Sequence, residues 1–451
     1  MGRLFGTDGV RGVANKELTA ELAFKLGYAG ANVLTKELSH TPKILVGKDT
    51  RLSGDMLECA LEAGICSTGA QVIKLGVIPT PAVAYLVRKY GADAGVVISA
   101  SHNSFEYNGI KFFNSQGYKL SDEVEEKIEE IILDGKESGI EFPTHEGVGS
   151  CTNGENAAND YIEYLSSAIG CSLDGLKLLV DCSNGANSKI APLAFEKLGA
   201  KVECISCEPD GININAGCGS THIDKLAKKV ADDACYDIGI AFDGDADRML
   251  AVDEKGVRLT GDEIMLIVGK YMKENGKLKN NSIAATVMSN LGFFIGAKKL
   301  GINAVQTAVG DRYVLEEMLK SNYVLGGEES GHIICLDYNS TGDGLLSALL
   351  LLEVMQKTKK PLSELRKIMT VLPQVLVNAR VKNENKPQLT QNEQIVKEIA
   401  ALEAQLEGEG RVLIRPSGTE PVVRVMLEGS DKAWLTEKAK ALASLIEGLL
   451  G

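Results

Sequence analysis

Asp243-Gly-Asp-Ala-Asp247-Arg248 sets three carboxylates at alternate positions, behind a strand-like run at Tyr236–Phe242 and ahead of another at Met249–Val252. Carboxylates this close repel one another unless a divalent cation holds them, and hard oxygen donors select Mg²⁺, Mn²⁺ or Ca²⁺. An EF-hand calcium loop would match at Asp243, Asp245, Asp247 and Glu254. Its turn glycine is replaced by Arg248, however, and strands replace the flanking helices. The pattern predicts a divalent site of the catalytic type, with a solvated acidic turn as the plain alternative.

Three further segments carry chemistry. Gly95-Val-Val-Ile-Ser99-Ala-Ser101-His102-Asn103 ends an apolar strand in two hydroxyls and a histidine, and Asn108-Gly-Ile-Lys111 opens the next strand. A serine at an exposed strand end beside His and Lys can serve as a nucleophile; a polar loop with a capping serine fits the spacing equally. The flanks are not the Gly-x-Ser-x-Gly elbow of α/β-hydrolases. Arg411 to Arg424 reads as two strands around Arg415-Pro-Ser417-Gly418-Thr419, where backbone N–H groups, hydroxyls and guanidinium can cradle a phosphate. An ordinary basic surface turn is the alternative there. Gly326-Gly-Glu328-Glu329-Ser330-Gly-His332 clusters carboxylates and a hydroxyl on a glycine-rich turn, a set suited to sugar hydroxyls.

The elements that must position these loops repeat one plan of strand, polar loop, amphipathic helix, Gly turn and second strand. It occurs at 43–74, 176–202 and 283–305, and a parallel strand pair needs such a crossover. Polar gaps at 146–158, 253–256 and 369–373 divide the chain. The predicted fold class is α/β: three similar mixed α/β domains at 1–150, 155–253 and 254–368, and a smaller α+β domain at 373–451.

Composition narrows the function classes. A formal charge of −13 over 451 residues opposes nonspecific binding to nucleic acid or anionic membranes. The longest aliphatic run, Leu345–Met355, falls short of the ~20 residues a bilayer crossing needs and predicts a core helix. The N-terminal residues form no apolar signal core, so a cytoplasmic location is expected. Ten scattered cysteines, including a lone Cys204-Ile-Ser-Cys207, are expected as reduced thiols.

Taken in order from Thr7-Asp-Gly-Val-Arg-Gly12 to the Arg415 loop, the signatures resemble the α-D-phosphohexomutases, an isomerase family of intramolecular phosphotransferases. The resemblance implies a heart-shaped enzyme of four domains whose catalytic serine, matched by Ser101, is phosphorylated. It implies one Mg²⁺ per chain held by Ser101, Asp243, Asp245 and Asp247, with Arg11, His102 and Lys111 lining the reaction centre. Glu328 and Ser330 match the sugar loop, and Arg415, Ser417, Gly418 and Thr419 the phosphate loop. On this reading a small separate domain holds whichever phosphate is remote, Lys111 or a neighbour takes the attacking hydroxyl's proton, and glucosamine 1,6-bisphosphate or glucose 1,6-bisphosphate serves as activator. The expected partner is a phosphosugar, with no nucleic acid or membrane, and a homodimer is compatible with the reading.

Within that family, Gly2–Gly12, Gly310-Asp-Arg-Tyr-Val314 and Cys218-Gly-Ser-Thr-His222 resemble most the bacterial members that interconvert glucosamine 6-phosphate and glucosamine 1-phosphate, supplying amino-sugar precursors for cell walls. The members acting on mannose and glucose phosphates share every catalytic motif and are the alternative. Two departures stand out: the serine loop continues His102-Asn103-Ser104 where the family has His-Asn-Pro, and Glu329 stands where Gln is frequent. Losing the fixed φ of proline predicts a looser serine loop.

Overall fold

The computed structural model describes residues 2–6, 8–136, 140, 142–406, 408–417 and 421–451. Contacts divide the chain into two compact units, Met1–Met288 with Ile302–Lys367, and Ser289–Gly301 with Ile368–Gly451.

The first unit opens with β1 (Val10–Val13), α1 (Ala20–Thr35), β2 (Lys43–Lys48), α2 (Gly54–Ser67) and β3 (Gln71–Val77). It continues through α3 (Thr80–Tyr90), β4 (Ala94–Ile98), β5 (Tyr107–Asn114), α4 (Asp122–Leu133) and β6 (Cys151–Asn153). These strands form one sheet in the order β1-β5-β4-β2-β3-β6. β4 lies parallel to β2, and β2 to β3, while β5 runs antiparallel to both β4 and β1. β4 is buried along its whole length, as its unbroken apolar sequence requires for a central strand covered on both faces. β6 lies within the polar stretch 146–158 and adds an edge strand to this first sheet. α1 and α2 cross closely: a Cβ on Gly64 would stand 2.1 Å from the Phe24 carbonyl oxygen.

The next sheet follows α5 (Ala157–Ala168). Its elements are β7 (Lys177–Asp181), α6 (Ile190–Lys197), β8 (Lys201–Ile205), α7 (Asp224–Asp233), β9 (Ile238–Phe242), β10 (Met249–Asp253) and β11 (Arg258–Leu259). The strand order is β11-β10-β9-β7-β8. Because β11 pairs with β10, the expected boundary between 253 and 254 falls inside a hairpin, and this sheet runs on to Leu259. The turn residues that looked like a linker are the hairpin's own.

Then come α8 (Gly261–Glu274), β12 (Ser282–Thr286), α9 (Leu291–Lys299), β13 (Asn303–Thr307), α10 (Asp311–Ser321), β14 (Leu325–Gly327), β15 (Ile333–Cys335), α11 (Gly344–Thr358) and α12 (Leu362–Leu365). The sheet order is β13-β12-β14-β15, antiparallel only at its last pair. All three expected repeats are therefore present with parallel strands, β2-α2-β3, β7-α6-β8 and β12-α9-β13. α9 belongs to the second compact unit although both strands of its repeat belong to the first. α11 is the expected core helix, buried at every position from Gly344 to Met355. Asp343 caps it, accepting from the Leu346 N–H at 3.0 Å and from the Tyr161 hydroxyl at 2.8 Å. Among the described residues, no helix is long and apolar enough to cross a membrane.

The second unit carries β16 (Gln374–Arg380), α13 (Glu393–Gln405), β17 (Arg411–Pro416), β18 (Val422–Glu428) and α14 (Lys432–Leu450). The antiparallel sheet β16-β18-β17 points Val423, Val425 and Leu427 into a core shared with Leu435, Leu442 and Ile446 of α14.

Alanine in place of a helical glycine ordinarily stabilises by about 1 kcal/mol. At Gly64 the carbonyl contact reverses that sign, and Gly64→Ala costs about 1–3 kcal/mol in urea unfolding. A variant as stable as the native chain would contradict the close crossing.

Candidate active site

Ser101 sits just past the C-terminal end of β4. Its backbone N–H donates to Ser99 Oγ at 3.0 Å, and Ser99 Oγ donates to Asp49 Oδ2 at 2.6 Å. Its φ is +50°, a left-handed conformation that costs a non-glycine residue energy and persists only where surrounding structure enforces it. Arg51 supplies much of that enforcement. This buried guanidinium donates to Asp49 Oδ2 at 2.8 Å and to the carbonyls of Ser101 at 2.8 Å, Asn103 at 2.9 Å and Tyr107 at 3.1 Å, and it also reaches the Ser104 carbonyl. From the neighbouring sheet's loop, Asn215 Nδ2 donates to the Ser101 and Asn103 carbonyls, each at 2.9 Å. Two expectations are corrected here. Ser101 is buried at 1% exposure instead of standing on an exposed strand end, and the loop without proline is tied down through its carbonyls.

The three aspartates occupy the β9–β10 loop, all buried, with ligand oxygens within 4.8 Å of one another. Gly244 lets this loop reach the serine, since a Cβ there would lie 2.7 Å from the Ser101 carbonyl oxygen. Ser101 Oγ donates to Asp243 Oδ2 at 2.7 Å. Burial, then Asp247 and Asp245, hold the Asp243 carboxyl well above the usual carboxylate range. Asp245 Oδ1 and Asp247 Oδ1 are buried without hydrogen-bond partners. Orphaned oxygens beside mutually repelling acids and a serine hydroxyl fit a hard divalent cation.

Cations of the protein surround the triad. Lys111 Nζ lies 2.8 Å from Asp245 Oδ2 and 2.8 Å from Asp8 Oδ2, and Thr80 Oγ1 donates to Asp245 Oδ2 at 2.7 Å. Burial alone would lower the Lys111 ammonium, but Asp245 and then Asp8 beside it raise it above its ordinary value. Asp8 also pairs with Arg11 and with Lys119 at 2.6 Å, and Lys119 bridges to Asp311 at 2.6 Å. His332 completes the path, its Nδ1 3.4 Å from Asp247 Oδ2 and its Nε2 accepting from the Gly342 N–H at 3.1 Å. His102 Nδ1 accepts from Arg248 Nη1 at 3.0 Å and lies 3.4 Å from Ser101 Oγ. Burial, then Arg248 and Arg11, lower this imidazole and keep it neutral.

Glu328 and Ser330 stand on the β14–β15 turn, with Ser330 Oγ 3.5 Å from Glu328 Oε2. The Met249 N–H donates to the Gly331 carbonyl at 3.1 Å, tying this turn to the strand after the aspartates. In the second unit, Arg415 on β17 faces Arg424 on β18. Burial, then Arg424 opposite it, lowers the Arg415 guanidinium from its ordinary value. The Ser417 N–H donates to the Val422 carbonyl at 2.9 Å, and Lys386 reaches the Ser417 carbonyl. Gly418 and Thr419 lie outside the described residues, as does Thr7 of the opening motif.

Four successive segments match known domains: phosphoglucomutase/phosphomannomutase alpha/beta/alpha domains I, II and III at residues 2–139, 159–256 and 260–372, and the C-terminal domain at 376–445. The chain belongs to the phosphoglucomutase/phosphomannomutase family. It is 60% identical over 451 residues to a phosphoglucosamine mutase of Acetivibrio thermocellus, covering 100% of both chains. It is 59% identical over 447 residues to that of Clostridium acetobutylicum, covering 99% of each. Solved structures agree on the fold. A family protein of Burkholderia thailandensis superposes with a TM-score of 0.79 at 24% identity, over 99% of this chain and 97% of the other. The N-acetylphosphoglucosamine mutase of Aspergillus fumigatus, solved with GlcNAc-6P and magnesium, gives 0.70 at 17% identity over 99% and 96%.

Sequence reasoning missed Arg51, Asn215, Thr80, Asp8, Lys119, Asp311 and the contact of His332 with Asp247. Asp8, Asp311 and His332 lay inside quoted family motifs; Arg51 and Lys119 carried no local signal. Arg51→Met strands the buried Asp49 carboxylate and costs about 3–5 kcal/mol in denaturant unfolding; a loss under about 1 kcal/mol contradicts the clamp. Asp245→Asn weakens Mg²⁺ binding more than about tenfold by titration calorimetry. An unchanged dissociation constant means the triad is structural.

Proposed function

We propose that this family member interconverts glucosamine 6-phosphate and glucosamine 1-phosphate, the activity of the phosphoglucosamine mutases, through a phosphorylated Ser101 and a 1,6-bisphosphate intermediate. One observation carries the reading: a strained, buried serine donates at 2.7 Å into a triad of buried aspartates, in a chain 60% identical over its full length to phosphoglucosamine mutases. We assign domains at 1–150, 155–253, 254–368 and 373–451, with the β10–β11 hairpin spanning the junction of the second and third.

Asp243, Asp245, Asp247 and the Ser101 group hold Mg²⁺ in this proposal. When bound, the ion offsets the negative charge that spreads over a transferring phosphoryl group. The remaining work falls to side chains. Arg51 and Asn215 fix the carbonyls on either side of His102, so the Ser101 oxygen keeps one direction through both half-reactions. Charged Lys111 holds Asp245 and Asp8 and adds positive potential beside the serine. Arg11 and His102 line the same centre. Glu328 and Ser330 receive sugar hydroxyls, while Arg415, Ser417, Gly418 and Thr419 bind the phosphate that is not reacting. Glucosamine 1,6-bisphosphate or glucose 1,6-bisphosphate primes Ser101. Ten free thiols suit a cytoplasmic enzyme.

The family also contains enzymes of glucose and mannose phosphates, which differ at the sugar's 2-position. A charged 2-ammonium gains from a nearby carboxylate, and Glu329 is a half-buried acid on the sugar loop. One charge-assisted hydrogen bond contributes roughly 1.5–3 kcal/mol, about one to two orders of magnitude in kcat/KM. In a coupled assay, glucosamine 6-phosphate is turned over with a specificity constant higher by that factor than glucose or mannose 6-phosphate. Glu329→Ala narrows the gap if this carboxylate is responsible. Equal or better turnover of the neutral sugars by the native enzyme overturns the substrate assignment.

A further inference from the structure

The thiols of Cys66 and Cys151 lie 3.5 Å apart although 85 positions separate them in sequence. Cys66 sits in the last turn of α2, and Cys151 opens β6, opposite Val72 of β3. Two backbone bonds frame the pair: the Gly149 N–H donates to the Cys66 carbonyl and the Val72 N–H to the Ser150 carbonyl, each at 2.9 Å. The sulfurs are thus held in register by the fold. A disulfide needs about 2.05 Å between them, a closure that side-chain rotation supplies.

Cys151 is exposed and Cys66 half-buried, so only one thiol of the pair meets solvent freely. The Cys151 thiol donates to Glu62 Oε2 at 3.9 Å, and Glu62 is paired to Lys74 at 3.0 Å. Burial, then Cys151 beside it, pushes the Cys66 thiol up to about 12, so Cys66 keeps its proton. Cys182, which could otherwise compete for oxidation, is fully buried, shut away from an oxidant.

We propose that Cys66 and Cys151 form a reversible oxidation site, with a hydroperoxide as the oxidant, that staples the edge strand β6 to the end of α2. Glu62 accepts the Cys151 proton, and the sulfur attacks the peroxide. An S–O bond forms, the O–O bond breaks, and the departing oxygen takes the proton from Glu62 and leaves as water or an alcohol. Cys66 then attacks the Cys151 sulfenic acid. The S–S bond forms, the S–O bond breaks, and the hydroxyl leaves as water with the Cys66 proton. Both cysteines are oxidised and the hydroperoxide is reduced. A 14-residue helix spans about 21 Å, so the staple lies a helix length from the Arg51 end of α2 and leaves turnover unchanged.

The test treats the full-length reduced enzyme with hydrogen peroxide and maps peptides without reduction. A peptide linking Cys66 to Cys151 is expected, reversed by dithiothreitol, lost in Cys66→Ser and in Cys151→Ser, and retained in Cys182→Ser. The oxidised enzyme is expected to melt several degrees higher, because the bridge closes a long loop in the unfolded chain. Peroxide that converts Cys151 to sulfinic or sulfonic acid while Cys66 stays free overturns the proposal, as does a bridge between other cysteines. An unraised melting point in the bridged form overturns the stapling role.

Discussion

Like charges about 4 Å apart repel by roughly 4 kcal/mol at the effective dielectric typical of protein sites. Asp243, Asp245 and Asp247 place three acids within 4.8 Å of one another, away from water, and that repulsion organises the surrounding structure. Nothing in the β9–β10 loop offsets it except Arg248, so compensation comes from other sheets. Lys111 arrives from β5, Thr80 from the start of α3 and His332 from the foot of β15. The same constraint explains why Lys111 can be buried at 1% exposure: two carboxylates hold its charge in place. Breaking such a buried pair at one end leaves an uncompensated charge, a cost well above that of a surface pair.

This network couples the serine to three sheets of the first unit. Ser101 touches Asp243 through its hydroxyl, while its carbonyl is held by Arg51 from the first sheet's own loop and by Asn215 from the second. Lys119 and Asp311 extend the path to the start of α10. Phosphoryl transfer leaves little covalent work for a protein and depends on position and charge. A strained serine fixed on both sides, beside orphaned carboxylate oxygens, meets that need.

The three β-α-β repeats were legible because hydrophobic runs, Gly turns and amphipathic helices are local patterns. The Asp243–Asp247 loop was legible for the same reason, since its chemistry lies within five consecutive residues. What escaped was made by long-range pairing. Arg51 looked like any basic residue after a strand, yet it meets carbonyls about fifty positions away. Lys119 and Asp311 are 192 positions apart and become partners only when the first and third sheets meet. The junction drawn after Asp253 falls within a hairpin because a Glu-Lys-Gly turn reads alike in a linker and in a hairpin. Ser101 looked exposed because a strand end says nothing about the loop that folds over it, and here the metal-type loop covers it.

The account rests on Ser101 carrying the phosphoryl group that reaches the sugar. The most direct measurement loads the purified native enzyme with radiolabelled phosphate from a labelled hexose 1,6-bisphosphate, maps the label, and then adds unlabelled glucosamine 6-phosphate with Mg²⁺ in a single turnover. The account predicts one labelled phosphoryl group, on Ser101, that leaves the protein and appears in sugar phosphate at least as fast as steady-state turnover. Label on another residue, or label that stays on Ser101 while product forms, would contradict it.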